Sequence, residues 1–185
     1  MEQTKTHRYK NLCRSIDFVF GPKKYFLNLR EGRKEIFVRI GELYLDSTKN
    51  KSHEIYMSVS VAKFLLEELR EIINVIKKNE GTSPEQKKLL YKKNFFDENN
   101  GQVYILELMV RSQEFLGKLG EMTLCIIEES INDKTKKTVF FIPSKGIPIF
   151  QKKLSMILKI YDERLKSDKN RYQQEVTTKI EEPKE

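Results

Sequence analysis

Lys24, Phe26, Asn28 and Arg30 take every second position of one short segment, and Phe37 and Arg39 repeat the pairing of ring and cation a little further on. Side chains two apart on an extended strand share a face. These residues would therefore build a sheet surface on which flat rings lie beside positive charges. Such rings stack on unpaired bases, while Lys and Arg neutralise phosphates. Arg33 and Lys34, at the adjoining turn, would add phosphate contacts. The reading depends on register: sliding the pleat by one residue sends Phe26 and Phe37 into the core. Cations on a strand are also ordinary solvated residues or protection for a sheet edge.

Other chemistries find no support. The two histidines, His7 and His53, stand far apart, the first near the chain start and the second next to Glu54 on a strand. Asp97-Glu98-Asn99-Asn100-Gly101 begins like a calcium loop, but its Gly comes one place early and Leu108 stands where the closing Glu belongs. Gly117 and Gly120 make no phosphate loop. Glu128 and Glu129 are strand neighbours, so they point to opposite faces and cannot share a proton or a metal. Cys125 has no identifiable base beside it and reads as a packing residue. Neither an enzyme nor a cofactor is expected.

Bulk properties narrow the class further. The chain has 185 residues, a net charge of +8 and a pI near 9.3. The positive excess is concentrated in residues 1–78. Such an excess suits a polyanionic partner. Cys13 and Cys125 lie too far apart to imply a disulfide framework or a metal motif, which points to a reducing compartment. No apolar run approaches the roughly 20 residues that span a bilayer, and the first ten residues lack a signal-like apolar stretch. The expectation is an intracellular protein, cytoplasmic or nuclear, neither secreted nor in a membrane.

The elements that must position the basic and aromatic residues occur twice. Tyr25-Phe26-Leu27-Asn28-Leu29 moved forward by 79 meets Tyr104-Ile105-Leu106-Glu107-Leu108, and residues 36–40 moved by 86 meet residues 122–126. Moved by 85, Ile55, Met57, Leu65, Leu69, Ile72, Ile73 and Ile76 meet Phe140, Ile142, Phe150, Leu154, Ile157, Leu158 and Tyr161. Apolar residues match while polar ones drift, as in two copies that share a core but not a surface. Seven extra residues in the second copy fall within 111–120.

Each copy reads as four strands and a helix. In the first, strands at 14–20 and 23–30 flank Gly21-Pro22, a third spans about 34–45, and a polar loop at 46–52 leads to a strand carrying Ile55, Met57 and Val59 on one face. Ser58 or Ser60 then caps a helix whose stripe is Val61, Phe64, Leu65, Leu69, Ile72, Ile73 and Ile76. Gly81-Thr82-Ser83-Pro84 starts a linker. In the second, a strand at 91–96 passes through Asn99-Asn100-Gly101 into 102–110, followed by strands at 121–129 and 137–142. Ser144 caps a helix to about Leu165, with Pro148 tolerated in its first turn. The organisation is a flexible N-terminus (1–11), repeat one (12–78), a linker (79–90), repeat two (91–165) and a polar tail (166–185).

Lys23-Lys24-Tyr25-Phe26-Leu27-Asn28-Leu29-Arg30-Glu31, Phe37-Val38-Arg39-Ile40 and Phe140-Phe141-Ile142-Pro143-Ser144 resemble strands and a strand–helix junction of the PUR-repeat family. The resemblance covers about residues 12–165 and extends more loosely to whirly proteins. It implies an α+β fold in which two tandem β-β-β-β-α repeats pack as one pseudo-two-fold, whirly-like PUR domain, each helix lying across the other repeat's sheet. It also implies a single-stranded DNA or RNA partner and a role in transcription or RNA regulation and processing. The chain departs from the family at Glu35-Ile36, where Gly-Arg is usual, and at Cys125, where repeat two loses an Arg.

The matching face of repeat two carries Ile105, Glu107, Met109, Thr123, Cys125 and Ile127. Among these Ile105, Met109 and Ile127 read as a protein interface, most simply a homodimer, since an apolar sheet face left open marks an interaction surface. The alternative is a face covered by residues 111–120 or by the tail. A protein that kept the fold as an assembly subunit, with weak or no nucleic-acid binding, is the competing function.

Overall fold

Alternating polar and apolar residues make strands, and a 3.6-residue period makes the two helices that close them. The computed structural model describes residues 10–33, 35–45, 52–80, 89–98, 100–110, 121–133 and 135–180, with side chains of the last helix as far as Asp168. Expectations on residues 1–9 (with His7), Lys34, 46–51, 81–88, Asn99, 111–120 (with Gly117 and Gly120) and 181–185 of the polar tail lie outside the described residues.

The described elements run β1 (Lys10–Asn11), β2 (Ile16–Phe20), β3 (Lys23–Glu31), β4 (Ile36–Tyr44), β5 (Ser52–Ser58), α1 (Val59–Asn79), β6 (Leu89–Asp97), β7 (Gln102–Val110), β8 (Met122–Ser130), β9 (Lys137–Pro143) and α2 (Ile147–Ile180). This is an α+β architecture of two antiparallel sheets and two helices. The first sheet has the order β1-β3-β4-β5, with β2 also paired to β3; the second has the order β6-β7-β8-β9. Gly21, at φ 58°, turns β2 into β3 in two residues, a conformation that a side chain would strain. Gly101, at φ 62°, takes the same left-handed conformation just ahead of β7.

Tyr25, Leu27, Leu29, Val38 and Ile40 are fully buried, so the pleat of the first sheet has the expected sense. Tyr104, Leu106, Leu108, Leu124 and Ile126 are their buried counterparts on the second. Five pairs joined by the 85-residue offset, from Ile55 with Phe140 to Ile72 with Ile157, are buried on both sides. All belong to one continuous core together with the helix stripes. Helix α1 meets β6, where Phe64 and Phe95 lie 4.9 Å apart and Tyr91 donates to Glu68. Helix α2 meets β2 and β3. Each half alone would expose apolar surface that the pair buries, and a unit of about 60–70 residues is marginal by itself.

Several boundaries differ from expectation. The first strand of the hairpin starts at Ile16, and Val59 opens α1 instead of ending a strand. Ser58 is the cap: its Oγ accepts from the Val61 N–H at 3.4 Å. Ser144 is not one. It begins a 3-10 turn, Ser144–Gly146, whose preceding residue is Pro143, and no side chain caps it. Helix α2 continues past Leu165 to Ile180, because Lys, Arg, Glu and Gln in the polar segment are good helix formers. Lys10 and Asn11, within the segment expected to be flexible, pair with Glu31 and Arg30 of β3.

Candidate functional site

The outward face of the first sheet is set by register. Phe26 stands opposite Gly41, Asn28 opposite Arg39, and Arg30 opposite Phe37. On the next strand Arg39 is opposite Tyr56 and Gly41 opposite Glu54. Gly41 leaves room for the Phe26 ring, which an added Cβ there would overlap. The Phe37 ring lies in the same way against Gly32, where an added Cβ would come within 2.8 Å.

Charged groups fill the space beside these rings. The Arg39 guanidinium lies 4.6 Å from the centre of the Phe26 ring, within cation–π range. It also grips Glu54 in a fork: Nε donates to Oε2 at 2.9 Å and Nη2 donates to Oε1. Tyr56 donates to Glu54 Oε2 at 2.8 Å, and Arg30 Nη1 donates to the Tyr56 hydroxyl oxygen at 3.3 Å. The Arg39 fork holds the Glu54 carboxyl below its ordinary range, against the opposing effect of burial.

The sequence-derived residues therefore differ in circumstance. Phe26, Phe37, Arg30 and Arg39 are half-buried on one face, and Arg33 is exposed beside it. Lys24 pairs with Asp17 at 2.8 Å. Asn28 is only 4 % exposed, and its Oδ1 makes no hydrogen bond within the described structure; nor does the buried Nε of Arg30. A buried polar atom left unpaired costs about 1–3 kcal/mol, so two neighbouring cases call for a reason. Lys34 lies outside the described residues. Glu54, Tyr56 and Gly41 were missed, although the alternation that sends Ile55 and Met57 inward obliges Glu54 and Tyr56 to face outward.

The second sheet's outward face is more closed than expected. Ile105 stands opposite Ile127 and Met109 opposite Thr123. Ile105 and Met109 are half-buried, but Ile127, Cys125 and Thr123 are 7 %, 2 % and 0 % exposed. They belong to β8, which is flanked on both sides, so neighbouring side chains cover it. Lys92 adds a charge to this face through its 2.8 Å pair with Glu107. Open apolar surface occurs instead along the edge strand, at Leu89 and Phe96.

On the inward face, two acids at positions related by the 86-residue offset, Glu42 fully buried and Glu128 half-buried, have different company. Glu42 accepts from Lys23 Nζ at 2.9 Å and meets His53 Nδ1 at 3.1 Å. Gln102 and Thr138 hold the positions matching Lys23 and His53, so Glu128 gains no cation there. Burial pushes Glu128 up to about 7, although the Tyr104 hydroxyl 3.0 Å away and the Tyr56 backbone act in the other direction. Glu129 points the other way and pairs with Lys137 at 2.9 Å.

Among the described residues no three His, Cys, Asp or Glu side chains cluster as metal ligands, and no helix is long and apolar enough to cross a membrane. A family model described as PurA ssDNA and RNA-binding protein matches residues 15–183. The curated proteins contain no match to the chain.

Proposed function

The chain belongs to the PurA family of ssDNA- and RNA-binding proteins, and from that membership we propose that it holds single-stranded DNA or RNA on the outward face of its first sheet. Lys24, Phe26, Asn28, Arg30, Arg33, Lys34, Phe37 and Arg39 make the contacts. The fold is two tandem β-β-β-β-α repeats packed as one whirly-like, pseudo-two-fold domain, and the work is non-enzymatic, in transcription or in RNA regulation and processing.

The observation that carries this reading is the Phe26–Arg39 stack beside two buried polar atoms, Asn28 Oδ1 and Arg30 Nε, that protein groups leave unpaired. Bases supply the flat face on which such a ring stacks. Single strands are preferred to duplex because stacking needs an unpaired base. Titration of labelled single strands with duplex competitor tests the reading: duplex should displace little, and Phe26→Ala with Phe37→Ala should weaken binding by about 1–3 kcal/mol per stacked base lost. Equal competition by duplex would reduce the contact to electrostatics alone.

A protein contact through the second half is the other reading, favoured by Leu89 and Phe96, about half exposed along edge strand β6 beside half-buried Ile105 and Met109. Sedimentation at high concentration, with and without Ile105→Lys, tests whether this edge joins two copies.

A further inference from the structure

Thr123 and Phe37 hold matching positions under the 86-residue offset, and the smaller side chain leaves space. Thr123 lines a cavity of about 280 Å³ between the β2–β3 turn and the junction of β9 with α2. Phe20, Gly21 and Pro22 form one wall, and Phe141, Pro143 and Lys145 form the other. Thr123 itself is fully buried, and its hydroxyl makes no hydrogen bond among the described residues. Beneath the walls Tyr25 ties the two halves by donating to the Phe141 carbonyl at 2.9 Å, so both halves build the cleft.

The matching positions of the other half are occupied by contacts within the protein. Glu35, which matches Glu121 of the cleft lining, hydrogen bonds the Asn100 side chain. Gly21, which matches Asn100, offers Glu121 no side chain. Ser58 and Ser60 hydroxyls lie 2.9 Å apart where Pro143 and Lys145 stand in the cleft. The second half thus carries Pro and Lys in place of a self-satisfied serine pair, and Thr in place of a ring.

The lining selects a ligand class. Two phenylalanines and two prolines provide flat apolar walls, and the exposed Lys145 provides a cation at the rim. The volume lies below the roughly 300–1,000 Å³ of pockets for drug-sized ligands, so it suits one planar ring system. A ring with an attached anion is a nucleobase with its phosphate. We infer that this cleft takes one nucleotide of the bound single strand, its base against Phe20 and Phe141 and its phosphate at Lys145. The inference rests on the single-strand reading above, and it gives repeat two a contact that does not depend on the Arg lost at Cys125.

Binding of a short single-stranded oligonucleotide to the full chain, with free AMP as a second probe, decides the matter. Thr123→Phe, which puts into the cleft lining the ring that Phe37 carries at the matching position, should cost about 5- to 150-fold in oligonucleotide affinity. Lys145→Ala, on an exposed side chain, should flatten the log–log salt dependence by about 0.7. AMP alone should shift the amide resonances of Gly21 and Lys145 at far higher concentration than the oligonucleotide. If Thr123→Phe does not fold, Lys145→Ala and the amide shifts decide alone. A wild type that binds strands while both variants keep its affinity and salt slope overturns the cleft and leaves the proposed function standing. A wild type that binds no single strand overturns both. AMP binding tighter than the strand's would make this a free-nucleotide site and overturn the assignment to a strand.

Discussion

Tyr25 and Tyr104 make the same bond in opposite directions. The Tyr25 hydroxyl donates to the Phe141 carbonyl of β9 at 2.9 Å, and the Tyr104 hydroxyl donates to the Tyr56 carbonyl of β5 at 2.7 Å. Both tyrosines are fully buried, and each stacks at 15° on the phenylalanine directly opposite, Phe18 or Phe95. The donors differ by 79 positions and the acceptors by 85, the offsets that align the two halves of the sequence. The halves are thus tied to one another twice, once in each direction.

Removing either hydroxyl leaves a buried carbonyl without its donor. Tyr25→Phe and Tyr104→Phe should each lower stability by about 1–3 kcal/mol, read as a fall of roughly 2–4 °C in Tm per kcal/mol for a chain of this size. Cutting the chain at Thr82 should give halves that are unstable or self-associate. Two separately soluble monomeric halves, each melting cooperatively, would sink the shared core.

Glu128 predicts a pH dependence. Its carboxyl titrates near 4.5 in the unfolded chain and is pushed up to about 7 by burial in the fold. Between those values the folded state binds the extra proton, so this group's contribution to stability declines as pH rises from about 4.5 to about 7. Glu128→Gln, which copies the protonated form, should gain on the wild type through that window and hold a constant advantage above it. Melting curves of both proteins from pH 4 to pH 9 provide the check; an advantage that stays flat across the window would show that Glu128 is solvated in the fold.

Strand alternation carried the inward face: the pattern of Tyr25, Leu27 and Leu29 favoured one sheet sense over the inverted pleat that would bury Phe26 and Phe37, and the fully buried positions have it. The helix stripe from Val61 to Ile76 was equally plain. The Glu54–Arg39 fork was not, since opposite charges 15 residues apart reveal a contact only once β4 and β5 are in register. Nor was the closed state of Ile127. A period of two assigns a face but says nothing of how far a curved sheet and its neighbours cover it. Ser144 looked like a cap because Ser is a good one, yet the 3-10 turn after Pro143 places it differently.

Gly41 is predicted to matter through Phe26. A Cβ at that position would overlap the Phe26 ring, which must swing away and lose its place under the Arg39 guanidinium. Gly41→Ala should therefore weaken single-strand binding nearly as much as Phe26→Ala, at a stability cost of about 1–3 kcal/mol. Parallel titration and melting of the two variants would reveal an error here as a Gly41→Ala protein with undiminished affinity.

The two arginines of the face should behave differently toward salt. Arg30 donates to a tyrosine oxygen and acts on Glu54 only at longer range, whereas Arg39 is forked onto Glu54. Arg30→Ala should flatten the log–log salt dependence of single-strand affinity by about 0.7, the expected loss for one phosphate contact. Arg39→Ala should change the slope less, because its charge is already met by a carboxylate. It should still weaken binding by removing support from the Phe26 ring. Glu54→Gln supplies the contrast: it releases the Arg39 fork, so affinity should rise at low salt and the slope should steepen by about 0.7. The gain should shrink at high salt, where counterion release contributes less. An Arg39→Ala protein with as large a slope change as Arg30→Ala, together with a Glu54→Gln protein indistinguishable from wild type, would mean that the fork opens freely when the strand arrives. Glu54 would then be a structural partner of Arg39 with no influence on the interface.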